Sequence, residues 1–256
     1  MWKVHFNLVS SAPFSLKYDI NGMTVELMGG TNRISVETID AANQNAAFEK
    51  ALDAATCCLN YICWKYTAPM TINNGKHSFE EVDSGGKTLG YTFVVTLNAK
   101  ASIVVDGGYQ NFGSIKGKKS DAASYFRKGC SSVDPFDQFR NFYSAIENIS
   151  SKIYEKKSRE PEKIEVERAL AVIFGGNYQS LKELGLTVPI FNVKENTESE
   201  VVRILYNANR CELNHSKVYK DKKIPFNPQD EKEVLNSLPL AKFVANKFLE
   251  YEESSL

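Results

Sequence analysis

The chain runs to 256 residues, 43% of them hydrophobic, and carries 31 Lys plus Arg against 31 Asp plus Glu. That is long enough for two ordinary domains with real cores, and the balanced charge excludes any global pull toward nucleic acid or membrane, so an anion site must be local. The five cysteines (Cys57, Cys58, Cys63, Cys130, Cys211) show neither CxxC nor Cys/His zinc spacing, which excludes a disulfide framework or structural zinc and fits a reducing cytoplasm. MWKVHFNLVSS at the start is interrupted by Lys3, His5 and Asn7, and no run approaches the roughly eighteen apolar residues of a membrane span, so the sequence reads as that of a soluble, intracellular protein.

Trp2, Val4, Phe6 and Leu8 alternate with polar residues, the period of a strand with one buried face. FSLKYDI and MTVELM flank Asn21-Gly22, whose easy positive φ angles suit a tight hairpin, and RISVET follows the Gly29-Gly30 break. From Asp40, a plausible N-cap, the period changes: Phe48, Leu52, Ala55, Leu59, Ile62 and Tyr66 recur at three- and four-residue steps in an alanine-rich helix that Pro69 ends. Strands resume at HSFEEV, LGYTFVVTL and ASIVVD, and Gly107-Gly108 closes the series. Residues 1–112 therefore predict an α+β domain, an antiparallel sheet with one long helix. His5 and His77 fall in these strand-like runs and read as ordinary surface or edge residues.

Residues 113–132 lose apolar periodicity and collect Lys116, Lys118, Lys119, Arg127 and Lys128, the pattern of a linker or exposed connection. Asp134-Pro135 then starts a helix with the stripe Phe136, Phe139, Tyr143, Ile146, Ile149 and Ile153. A second helix is expected from Pro161 to the Gly175-Gly176 stop, with a short turn at SLKEL. Thr197 with Glu200 resembles a capping box for a third, whose apolar side is Val201, Ile204, Leu205, Ala208 and Cys211. The fourth begins near Asp230 with Val234, Leu238, Ala241, Val244, Ala245 and Phe248 as its core face, kinked or restarted by Pro239. Residues 133–256 thus predict an all-α four-helix bundle.

Chemistry concentrates in the third helix. Arg203, Asn207, Arg210 and Asn214 lie at steps of four, three and four, one polar face if the helix is α. His215 would point about 140° from Arg210 on an ideal helix and converges on it only if the helix ends there. Asn214 and the two prolines of SKVYKDKKIPFNP support such an ending, which could gather Lys217 as well. A titratable imidazole beside a permanently charged, fork-shaped guanidinium suits phosphodiester chemistry without a metal. The structural alternative is a helix terminus at which His215 caps carbonyls and Arg210 bridges to a neighbouring helix. Asp134 and Asp137 read as capping and dipole partners, and no glycine pair forms a phosphate loop.

Four helices with an Arg-x4-His motif closing the third, in the stretch LYNANRCELNH, resemble the HEPN superfamily over roughly residues 133–253. A β-rich domain ahead of the bundle is similar to the ApeA-like anti-phage proteins and the MauJ-like group. The resemblance implies a metal-independent, cofactor-free endoribonuclease that acts as a homodimer. Arg210 and His215 are then the catalytic positions, with Arg203, Asn207, Asn214 and Lys217 binding substrate. It also implies RNA rather than DNA as partner, a toxin or anti-phage defence setting with an antitoxin or regulatory partner, and no membrane. Two positions depart from the family pattern: Cys211 follows the arginine and Ser216 follows the histidine. The alternative within the same family is a non-catalytic module that binds nucleotide, RNA or protein.

Overall fold

Period-two alternation puts Val4, Phe6 and Leu8 of strand β1 (Trp2–Leu8) on one face of a sheet and His5 and Asn7 on the other. A computed structural model describes residues 1–66, 68–83, 88–95, 120–192, 195–211, 223 and 227–255. The chain divides into two units, Met1–Ser120 and Asp121–Leu256. Among the described residues of the first, β1 joins β2 (Leu16–Ile20), β3 (Met23–Leu27), β4 (Arg33–Ile39), β5 (Ile72–Val82) and β6 (Thr88–Val95). They form an antiparallel sheet of order β2-β3-β4-β1-β5-β6. Asn21 and Gly22, with φ of 52° and 77°, make the two-residue turn that joins β2 and β3, as their chemistry predicts. The expected strand ASIVVD lies outside the described residues.

The helix expected after Asp40 is α1 (Gln44–Tyr66). Its cap is Asn43, whose Oδ1 accepts from the Ala46 amide at 3.0 Å, whereas Asp40 offers its carbonyl to Lys50 Nζ at 2.6 Å. Ala47, Ala51, Ala54 and Ala55 bring the helix backbone close to the sheet. Cys58, Leu59 and Ile62 complete a core with Phe6, Tyr18, Val25, Ile34 and Phe79. Cys57, Cys58, Cys63 and Cys130 carry thiols rather than disulfides.

His5 is a correction to the sequence reading. Because β1 runs between β4 and β5, His5 on its polar face is flanked by both neighbours and is 4% exposed, while Lys3 and Asn7 on the same face are half-buried. Its Nδ1 lies 2.7 Å from Ser35 Oγ and its Nε2 2.8 Å from Glu80 Oε1. Burial pulls the imidazole below its ordinary pKa of 6.5, only partly opposed by Glu80.

In the second unit the predicted linker is also revised. Residues Asp121–Ser131 form α2. Its Ala122, Ala123, Phe126 and Gly129 are buried, a stripe of three small residues and one ring that the intervening Lys128 and Arg127 hide from a reading based on charge. The other helices are α3 (Pro135–Ile153), α4 (Lys163–Phe174), α5 (Gln179–Gly185), α6 (Thr197–Val202) and α7 (Pro228–Ser255). Helix α3 packs against α2, α4 and α7 and forms the centre of this helical unit. Asp134 caps α3 by accepting from the Asp137 amide at 2.9 Å, and Gly175, at φ 54°, ends α4. Helix α7 continues through Pro239: the carbonyl left without an amide belongs to Leu235, on the exposed side where water can meet it. No helix among the described residues is long and apolar enough to cross a membrane.

Candidate active site

Helix α6 starts differently from the expected capping box. Asn196 is the cap, its Oδ1 accepting from the amides of Glu198 and Ser199 at 2.9 and 3.3 Å. Glu200, 1% exposed, is drawn into the protein instead. It accepts from the Asn192 amide at 2.6 Å and takes both Nε and Nη2 of Arg203 at 2.8 and 2.6 Å. Arg203 also donates to the Ile190 carbonyl at 2.5 Å. The arginine fork thus ties the 190–192 segment to the start of the helix, with the Glu200 carboxyl held below its usual range by Arg203.

From Arg203 to Cys211 the helix is π-wound, with i→i+5 hydrogen bonding. This longer turn explains the main error in the expected faces. On an α-helix residue 208 returns beneath residue 204. Here Asn209 does, fully buried, donating through Nδ2 to the Ile204 carbonyl at 2.8 Å and to Ser237 Oγ of α7 at 3.2 Å. Lys223, 6% exposed, donates to the Ala208 carbonyl and lies 3.4 Å from Glu233 of α7. A lysine in a run that reads as solvated charge is therefore a buried anchor of the motif helix. Asn207 faces solvent.

Arg210 leaves Arg203 behind and turns toward α3 and α4. Its Nη2 is 2.8 Å from Glu162 Oε2, its Nε 3.4 Å from Glu147 Oε1, and its guanidinium carbon 5.4 Å from the Tyr206 ring centre. The Nε is buried and makes no hydrogen bond of good geometry. Burial disfavours the guanidinium charge, but Glu147 and Glu162 more than offset this and hold its pKa above the ordinary arginine value. Glu147 experiences the reverse balance: burial raises its carboxyl, Arg210 lowers it, and Glu162 raises it again, leaving it above its usual value. These groups line an open cleft of about 410 Å³ together with Tyr125, Ser144, Asn148, Ser151, Lys156 and Glu165.

Of the residues proposed from sequence, the structure gives Arg203 and Arg210 separate partners, and Asn214, His215 and Lys217 lie outside the described residues. Glu162 was not singled out by the sequence. Its signal is weak: a carboxylate at a helix start ordinarily reads as a dipole partner. Among the described residues no group of His, Cys, Asp and Glu could hold a metal ion.

No curated protein and no solved structure matches the chain. The family model described as methylamine utilization protein MauJ matches residues 122–250, half of the chain and nearly all of the helical unit that carries Arg210. The chain accordingly belongs to the MauJ family, a HEPN-like family.

Proposed function

We propose that the helical unit is a metal-independent endoribonuclease of HEPN type, with Arg210 and His215 as its catalytic residues. The observation that carries this reading is Arg210 itself: a guanidinium on the motif helix that lines an open cleft, its Nε facing Glu147 and its terminal Nη2 paired with a half-exposed Glu162. A permanently charged, fork-shaped cation in a cleft suits a phosphate.

In the proposed reaction the ribose 2′-oxygen attacks the adjacent phosphorus and the 5′-oxygen leaves, giving a 2′,3′-cyclic phosphate and a 5′-hydroxyl. One His215 imidazole takes the 2′-hydroxyl proton and a second, from the other subunit of a homodimer, protonates the leaving oxygen. Arg210 meets the charge that develops on the phosphoryl oxygens. Because the nucleophile belongs to ribose, DNA is not cut. The sheet unit is then a sensor or restraint, in the setting of a toxin or defence effector held by an antitoxin or regulatory partner.

A second reading is favoured by one observation. Two carboxylates already neutralise Arg210, an arrangement that also suits a non-catalytic module in which this residue holds a nucleotide, RNA or protein group. Incubation of the protein with end-labelled RNA in EDTA separates the two. The nuclease reading expects cyclic-phosphate products from the wild type, with at least about a hundredfold loss in Arg210→Ala and in His215→Ala. Cleavage that survives both substitutions, or that EDTA stops, rules it out. Saturable RNA binding without product, weakened by Arg210→Ala, establishes the second reading.

A further inference from the structure

Arg210 has two acidic partners, and they differ in what else they do. Glu147 belongs to the middle of α3 and approaches the buried Nε. Glu162 precedes α4 and takes the terminal Nη2 at 2.8 Å, with its side chain 46% exposed against 22% for the arginine. The terminal nitrogens of a guanidinium are also the donors that a phosphoryl oxygen uses. Glu162 therefore stands, on the solvent side, where a phosphate would bind.

We infer that Glu162 is a displaceable guard on Arg210, its carboxylate holding the place that a phosphoryl oxygen of the ligand takes. The inference rests on the reading that Arg210 meets a phosphate, and three observations carry it further. Glu162 occupies the cap position of α4 yet makes no capping hydrogen bond with its side chain. Its exposed contacts are with Arg210 and, at 3.4 Å, with the Tyr206 hydroxyl. The turn between α3 and α4 does not depend on it either. That turn is pinned by Glu160, whose Oε2 accepts from the Lys157 amide at 2.7 Å and from the Tyr154 hydroxyl at 3.0 Å. Once displaced, the Glu162 carboxylate remains beside the positive end of the α4 dipole, a favourable place for a negative charge.

The exchange is downhill for a suitable ligand. A half-exposed carboxylate-arginine pair is weak because water competes for both partners, whereas a phosphate can engage the fork through two charge-assisted hydrogen bonds.

The test uses the full chain, a fluorescein-labelled single-stranded RNA and inorganic phosphate as competitor. Glu162→Gln and Glu162→Ala are expected to tighten RNA binding by about tenfold, equivalent to 1.4 kcal/mol, and to make phosphate a stronger competitor. Glu165→Gln removes the same charge from the same cleft without touching Arg210 and is expected to change affinity by less than about threefold. Under cleavage conditions the Glu162 variants should lower KM and leave kcat within about twofold. Affinity equal to wild type in both Glu162 variants, or the same gain in Glu165→Gln, overturns the guard. If no variant cleaves RNA but Glu162→Gln still binds it more tightly, the nuclease reading fails and the guard stands. If cleavage persists with KM unchanged, the reverse holds.

Discussion

A histidine enclosed by a central strand has its protonation tied to folding. His5 is held between Ser35 and Glu80 with its pKa below 6.5, so in acid the unfolded chain takes up a proton that the folded one resists. The stability contributed by the neutral ring is fully present above the ordinary value of 6.5 and is lost as pH falls below it. Urea titrations followed by tryptophan fluorescence, from pH 8 down to about pH 5, should show wild type losing stability, and His5→Asn should flatten the profile. A wild-type profile flat across that window refutes the assignment. The same substitution should cost about 1–3 kcal/mol at pH 8, because it disturbs buried hydrogen-bond partners on two strands. Arg210 presents the opposite case: it stays charged throughout, and what changes around it is the placement of carboxylates.

At the level of elements, α2 is held to α3 by the absence of a side chain. A Cβ on Gly129 would stand 2.8 Å from the Phe142 ring, which is itself 97% buried and already packed against Phe126. Gly129→Ala should therefore cost about 1–3 kcal/mol by overpacking despite alanine's better helix propensity, read as a lower urea midpoint for the helical unit. A neutral or stabilising result would mean that the Phe142 ring moves aside freely. The strands β1 to β4, the Asn21-Gly22 turn, and the starts of α3 and α7 are legible in the sequence because alternation, turn chemistry and caps are local properties. Helix α2 is not, since its buried face offers one large apolar residue, Phe126, among alanines and a glycine inside a basic stretch. A bridge from Arg210 to a neighbouring helix is legible as the structural alternative, whereas Glu162 as a partner is not, for no periodicity relates the two. Asn209 escapes for a third reason: a face drawn with the α period assigns its place to Ala208, and nothing in the residue types announces the wider winding.

For the whole molecule, the two units divide the question of function. The matched family covers the helical unit alone, and the match carries nothing about the sheet unit. Catalysis by two His215 residues in one dimer cleft has a numerical signature. After subunit exchange of wild type with an equal amount of His215→Ala protein, the cleavage rate per unit of total protein should fall to about a quarter of the wild-type rate, because about a quarter of the dimers retain both histidines. A fall to about half would mean that each subunit acts alone. The π-wound segment, finally, bears on how relatives of this protein should be compared. A wide-turned helix can be read as an α-helix that has absorbed an insertion, and loss of one residue between Arg203 and Arg210 would let it revert. Because the wide turn accommodates the extra residue, the chain beyond the deletion would keep its face and the arginine its place on the cleft. Homologues that differ in length by one residue here should accordingly be aligned on the buried asparagine and the cleft arginine, not on an unbroken helical register.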